Sequence, residues 1–250
     1  MASEKTYIYG KHAVKEALLM APAAIRKIFL SPDMDDSYLR DLIKKKQIPM
    51  MALQRGKTVG DVSREASHQG VFAELSLGAL MTPYDQFVQK LEVGPDTGLV
   101  LLGEVQDPHN VGAVIRSAAA FGIKGVLIPE HNQAPVTGAV VKVSAGMAFR
   151  VPLIAIGNVN NVVRDLKERG FWVYGLTGDQ GSTPVTKEQF DRPALFILGN
   201  ESKGIREKTR DLCDALVSIP MNPQCESLNA AAATAVTLFQ WSTQHPKALK

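Results

Sequence analysis

Cysteine is nearly absent from this chain, with only Cys213 and Cys225 among 250 residues. Two thiols make no disulfide framework, and their spacing fits no zinc site, so neither crosslinks nor a metal are expected to hold the fold. No apolar run approaches the roughly 20 residues that a membrane helix needs. The opening Met1-Ala2-Ser3-Glu4-Lys5 has no apolar stretch behind it and does not read as a signal peptide. No G-x-G-x-x-G follows a strand-like segment and no P-loop pattern occurs, which disfavours a nucleotide-dependent dehydrogenase. Internal repeats and low-complexity tracts are lacking too. What remains is an ordinary globular balance, 45% hydrophobic and 21% charged, which excludes disorder, collagen and coiled coil. The expectation is a soluble, cytoplasmic chain of one large or two modest domains, with no membrane or metal partner.

The net charge is only +3, but it is unevenly placed. The first 78 residues carry 12 Lys and Arg against 9 Asp and Glu, while the remainder carries 16 of each. The basic excess therefore lies wholly in the first third, which hints at a polyanion partner there. Arg55, Lys57 and Arg64 are candidates for that surface, although charges on a solvated face look the same in sequence.

Hydropathy divides the chain in two. Over 1–77, apolar positions at helical spacing mark His12–Met20 and Leu39–Lys46, with a further short helix over Val59–Ala66. Ile25–Leu30, Ile48–Leu53 and Val71–Leu77 read as strands, the last with alternating polarity. This is a small α/β domain. Gly78, Pro83, Gly94 and Pro95 punctuate 78–97, which reads as a linker holding at most a short helix over Tyr84–Leu91. From 98 to 250 the pattern is again α/β. The run Leu99-Val100-Leu101-Leu102 marks a strand buried on both faces, and strands also fit Gly125–Ile128, Val151–Ile156, Phe171–Leu176, Leu195–Leu198 and Leu216–Ile219. Helices fit Asn110–Phe121, Val159–Arg169 and Leu228–Trp241. A mostly parallel sheet follows, whose ligands belong at the carboxyl ends of its strands.

Three loops at such ends carry chemistry. The first, Glu104–Ala113, opens a helix bearing Arg116; Asp107 or Asn110 could cap it, and Gly112 would let a ligand approach the backbone. A capped helix with a surface arginine satisfies the same residues. In the second, Gly199-Asn200-Glu201-Ser202-Lys203-Gly204, two glycines bracket a carboxylate. They expose backbone groups to a ligand edge, although a plain tight turn also fits. In the third, Pro220 and Pro223 force an extended path before Glu226-Ser227-Leu228-Asn229 and the alanine-rich Ala230–Ala233. Ser227 is well placed as the N-cap there.

Taken in order, Asn110-x-Gly112-x-x-x-Arg116, Gly199-Asn200-Glu201-x-x-Gly204, and Ile219-Pro220-Met221 with Glu226-Ser227-Leu228-Asn229 resemble the three motifs of the SpoU/TrmH class of RNA ribose 2′-O-methyltransferases. The resemblance covers 98–245, and Val141–Arg150, with Ser144-Ala145-Gly146, is similar to the connecting region of that class. Near the start, Tyr9-Gly10-Lys11-His12-Ala13-Val14 and His68-Gln69-Gly70 resemble the RlmB subgroup, which methylates a guanosine in 23S rRNA.

The resemblance implies a small RNA substrate-binding domain followed by a SPOUT-type catalytic domain with a C-terminal trefoil knot. It further implies S-adenosylmethionine held by the knot loops and a homodimer with the active site near its interface. Carried over by position, Gly199, Ile219 and Leu228 would hold the cofactor, while Asn110, Arg116, Glu201, Ser227 and Asn229 would line the catalytic pocket. An arginine is normally always protonated, so Arg116 suits phosphate binding and stabilisation of a developing alkoxide better than a literal base. The chain departs from the pattern at Pro223, where glycine is frequent, and at Ala230, where valine is common. A tRNA ribose methyltransferase and a non-catalytic rRNA-binding assembly factor are the alternatives; the small domain argues against the first, the complete polar set against the second.

Overall fold

The computed structural model describes residues 5–53, 68–179 and 181–250. The helix expected over Val59–Ala66, together with Arg55, Lys57 and Arg64, lies outside the described residues. The first domain comprises β1 (Lys5–Tyr9), α1 (Lys11–Met20), β2 (Ile25–Leu30), α2 (Ser37–Lys45), β3 (Met50–Ala52) and β4 (Val71–Ser76). They build a sheet of order β1-β4-β2-β3, with β4 antiparallel to both neighbours and β3 parallel to β2. Local chemistry starts α2 where it does: the Asp36 carboxylate accepts from the Leu39 N–H at 2.9 Å and so satisfies an orphan donor of the first turn.

Two expectations for this domain need correction. Strand β1 escaped the hydropathy reading because only Ile8 among its five residues is buried. In β4 the alternation does not translate into one wet face, since Phe72 and Glu74 are buried along with Val71, Ala73 and Leu75. Phe72 lies against the His68 ring, and Glu74 accepts from the Tyr7 hydroxyl and pairs with Lys27.

The second domain holds β5 (Met81–Pro83), α3 (Tyr84–Val88), β6 (Gly98–Leu102), α4 (Pro108–Ala120), β7 (Gly125–Pro129), α5 (Gly138–Val143), β8 (Leu153–Ile156) and α6 (Val159–Glu168). It continues through β9 (Trp172–Leu176), β10 (Thr183–Pro184), β11 (Ala194–Leu198), α7 (Glu207–Arg210), β12 (Ala215–Ser218) and α8 (Ala230–Gln244). Among the described residues its eight strands are all parallel, in the order β10-β12-β9-β11-β6-β7-β8-β5. Alternate residues of the central strands feed two cores. Val100, Leu102 and Phe196 pack with α4, α5 and α8 on one face; Leu99, Leu101 and Ile197 pack with α6 on the other. Burial on both faces explains their uninterrupted apolar runs.

The stretch 78–97 is not a bare linker. Met81–Pro83 pairs with Leu153–Ala155 as the edge strand β5, a position where proline is tolerated because no ladder donor is missed. The Tyr84 hydroxyl then donates to Asp165 at 2.5 Å, tying α3 to α6.

The two domains are joined by direct contacts. The Arg150 guanidinium donates from Nε and Nη2 to Glu16 Oε2 at 2.9 and 2.8 Å, and the Gly138 N–H donates to Thr6 Oγ1 at 2.9 Å. The Lys142 ammonium sits over the Tyr9 ring. The connecting region Val141–Arg150 is thus where the second domain receives the first.

Candidate active site

From β6 the chain steps outward through β7 to β8, then crosses to the far side as β9; β11 later fills the place between β9 and β6, and β12 adds beyond β9. The strand order therefore reverses between β6 and β11, and a crevice at their carboxyl ends is the place for a ligand. Two of the three motif loops leave the sheet there. The third enters α8, which packs on α4.

The three loops meet in one hydrogen-bonded junction. Asn110 Nδ2, in the first turn of α4, donates to Glu201 Oε1 at 3.0 Å. Asn110 Oδ1 accepts from Asn229 Nδ2 at 2.9 Å. Asn229 Oδ1 in turn accepts from the N–H groups of Ala231 and Ala232 and caps α8. Glu201 also accepts backbone N–H bonds from Gln106 at 3.3 Å and Asp107 at 3.5 Å. Burial alone would raise the Glu201 pKa, but the bond from Asn110 and the backbone N–H bonds from Glu201 itself, Gln106 and Asp107 outweigh it and hold the carboxyl below its ordinary value. A buried amide with both ends engaged is rigid, and losing either partner leaves a polar atom stranded.

Beside the junction lies a cleft of about 560 Å³, within the usual range for small-molecule sites. Gly199, Glu201, Ile219, Ser227, Leu228 and Asn229 all line it. Gly199 is required by the loop itself: a Cβ there would sit 2.3 Å from the Gly204 carbonyl carbon. Asn200 and Gly204 close that loop with two backbone hydrogen bonds, Gly204 taking φ +67°. The backbone N–H and C=O groups of Gly199, Ile219 and Leu228 have no hydrogen-bond partner among the described residues. Buried backbone groups are nearly always paired, so the free ones of buried Gly199 stand out; those of half-buried Ile219 and exposed Leu228 are open to solvent, and together they present donors and acceptors to a ligand edge.

Two readings from the sequence are corrected here, for Ser227 and Gly112, and the choice of cap for α4 is decided. Asn229, not Ser227, caps α8, because the extended loop delivers the chain to the helix two residues later. The Ser227 hydroxyl is left facing the cleft without a partner among the described residues. Asp107, not Asn110, caps α4, accepting from His109 N–H at 2.8 Å. Gly112 does not open the backbone to a ligand; it is buried in α4, where a Cβ would lie 2.7 Å from Val143 Cβ of α5. Arg116, by contrast, is exposed on α4, lies outside the lining of the cleft and makes no hydrogen bond or ion pair with any described residue.

The sequence reading missed part of the cleft. The loop after β9, Leu176–Asp179, forms one wall, with Asp179 paired to Arg210. Its position at the carboxyl end of a parallel strand was the available signal. Among the described residues no cluster of three or more His, Cys, Asp or Glu is disposed to bind a metal. Burial pushes the Cys213 thiol up to about 11, which keeps it a neutral thiol and a poor nucleophile at neutral pH.

Residues 98–239 match the model of the SpoU rRNA Methylase family, and residues 7–77 match that of RNA 2'-O ribose methyltransferase substrate binding. The 23S rRNA (guanosine-2'-O-)-methyltransferase RlmB of Xanthomonas axonopodis pv. citri is 35% identical over 243 residues, 96% of this chain and 97% of that protein. The protein of the same name from Pseudomonas syringae pv. tomato is 35% identical over 95% of each chain. Among solved structures, the SpoU methyltransferase AviRb of Streptomyces viridochromogenes, in complex with the cofactor AdoMet, superposes with a TM-score of 0.79. That match covers 97% of this chain and 91% of AviRb at 23% identity, a likeness of fold. With three motif loops drawn into one junction and both domains matched along nearly their whole length, the chain belongs to the SpoU rRNA methylase family.

Proposed function

We propose that this protein transfers a methyl group from S-adenosylmethionine to the ribose 2′-hydroxyl of a guanosine in 23S rRNA. The Glu201–Asn110–Asn229 junction carries this reading: it places a carboxylate, two amides and the Ser227 hydroxyl beside a cleft lined by unpaired backbone groups. The names of the full-length relatives supply the substrate, and the match of 7–77 to a substrate-binding model favours it over a tRNA substrate or a non-catalytic role.

The residues present suit the cofactor. Gly199, Ile219 and Leu228 would hold it through backbone atoms, and Leu176 and Leu198 add apolar surface. When bound, it supplies an already reactive sulfonium methyl, so the hard chemistry is its own. The protein must align the 2′-oxygen and lower the cost of removing its proton. Ser227 and Asn229 orient the nucleotide. Glu201, held ionised, fixes Asn110 and through it the start of α8.

Arg116 binds the adjacent phosphate and favours the developing alkoxide. The exposed position of Arg116 outside the lining of its own cleft supports a role across a two-fold interface in an active homodimer. The exposed apolar Val236 and Phe239 on α8, the helix packed on α4, support that pairing, and closed two-fold symmetry is the commonest oligomer. A C-terminal trefoil knot and a cytoplasmic location complete the reading. The knot draws support from the loops 199–205 and 219–229, which share one cleft at the entry to α8.

The test is a map of ribose methylation in 23S rRNA from cells with and without this protein. One guanosine should lose its 2′-O-methyl group in the deletion and regain it when purified protein and S-adenosylmethionine are added. An unchanged map would sink the proposal.

A further inference from the structure

On the other side of the 199–206 loop from the cleft lies a smaller cavity of about 260 Å³, at the carboxyl ends of β6, β7, β8 and β11. Ile205 lines both cavities, so this one loop is the wall between them. The mechanism above makes no use of it. Its polar lining comes from Glu104, His131, Asn132, Asn158, Asn160 and Arg206.

Two of these residues hold left-handed backbone without being glycine: Glu104 at φ +68° and Asn132 at φ +55°. Their loops are clamped together. The Gln133 amide accepts from Val105 N–H at 2.9 Å and donates to Val105 C=O at 2.8 Å, and Gln106 Nε2 donates to Asn132 C=O at 2.7 Å. Strained backbone of this kind persists only where its surroundings over-determine it.

The free hydrogen-bonding groups have a pattern. Glu104 Oε1 pairs with Arg206 at 2.5 Å, and Oε2 accepts no hydrogen bond from a described residue. Asn158 Oδ1 is taken by Asn161 N–H and Asn160 Oδ1 by the Thr209 hydroxyl, which leaves both amide Nδ2 groups unused. The cavity thus offers one carboxylate acceptor among several donors. Guanine presents the complement, adjacent N1–H and N2–H donors beside the O6 and N7 acceptors. Adenine would turn an acceptor nitrogen towards the carboxylate.

We propose that this cavity receives the base of the target guanosine, its N1–H and N2–H donating to Glu104 and its O6 and N7 accepting from Asn158, Asn160 or Arg206. The inference rests on the proposed function and deepens it by naming the residue that reads the base. Gln106, two residues past Glu104, donates its N–H to Glu201, so one short loop runs from the base site to the junction where the ribose is methylated. Enzymes that do chemistry on a base draw it out of the stack and read its Watson–Crick edge in such a pocket; here the reacting oxygen is on the ribose, and the pocket serves recognition of the base.

Glu104→Gln keeps the size of the side chain and removes the carboxylate. On an rRNA fragment its kcat/KM should fall roughly 10- to 100-fold, the scale of a lost bidentate base contact, with melting temperature and S-adenosylmethionine affinity unchanged. The wild type should prefer guanosine to inosine, which lacks the N2 amino group, at the target position, and the variant should not. A Glu104→Gln enzyme with the wild-type guanosine-to-inosine ratio overturns the assignment. Independently of activity, titrating the wild-type protein with guanosine 5′-monophosphate should shift the Asn158 and Asn160 side-chain amide resonances saturably, and adenosine 5′-monophosphate should not. Equal shifts with both, or none, also overturn it. Guanine-specific shifts in a protein that methylates no rRNA would refute the methyltransferase reading and leave the base site standing.

Discussion

Glu201 and Arg116 make opposite predictions. The Glu201 carboxyl is held below its ordinary pKa in the folded protein, so its ionised form stabilises the fold above the unfolded-state value of about 4.3. That contribution fades as pH falls through the folded value. The stability difference between wild type and Glu201→Gln should therefore be largest near neutrality and shrink below about pH 4. Urea denaturation across a pH series reads this directly, and a gap that does not change with pH would remove Glu201's ionisation from the account. Arg116→Ala strands nothing, since Arg116 is exposed and unbonded among the described residues. Its stability should stay within about 0.5 kcal/mol of wild type while methyl transfer is mostly lost. Near-normal turnover by the folded variant would strip Arg116 of its role.

At the scale of elements, the start of α8 is where structure and chemistry share a residue. Asn229 caps the helix through two backbone N–H groups and holds Asn110 with its own amide. Asn229→Ala should cost about 1 kcal/mol for the cap alone, and more because Asn110 Oδ1 is left without its donor. Asn229→Asp keeps the cap acceptor and loses the donor to Asn110. It should recover much of the stability in thermal melts and little of the activity. If both variants lose activity only in proportion to stability, the junction is a structural brace. The helical and strand periodicities located α8 and its neighbours well, but they could not choose between Ser227 and Asn229 as cap, because both are good capping residues and the path of the preceding loop decides.

The whole molecule is two domains fastened through α5 and the residues that follow it. Arg150 pairs with the nearly buried Glu16, and β5 joins the second sheet and α3 is tied to α6 although both precede β6. A chain beginning at Leu80 should therefore melt above one beginning near Pro95, which lacks β5 and the Tyr84–Asp165 bond. Both should melt below the intact protein, since α5 loses its cover from β1. The longer truncate should still bind S-adenosylmethionine by calorimetry. It should bind rRNA more weakly than the intact protein and with a shallower salt dependence, because the basic excess of the first 78 residues is gone and fewer counterions are released. Equal affinity and equal slope would take RNA recognition away from the small domain.

Hydrophobic spacing in the chain alone determined the elements that are buried: the central strands of the large sheet, the apolar faces of α1, α2, α4 and α6, and three loops rich in glycine, proline and amides. Those features are local, since periodicity records which side of a segment meets the core. It could not reveal β1, a largely half-exposed strand, or β5, three residues whose only mark is the partner they pair with. Nor could it bring Asn110 to Glu201, 91 residues away, or to Asn229, 119 residues away. That convergence follows from β11 lying beside β6 and from α8 returning against α4, and the order of strands in a sheet is a property of the packed chain. The same packing turned Arg116 out of its own cleft, buried Gly112 against α5 and opened a second cavity beneath Glu104. Sequence spacing names the groups able to act, and only the tertiary fold decides which of them face each other.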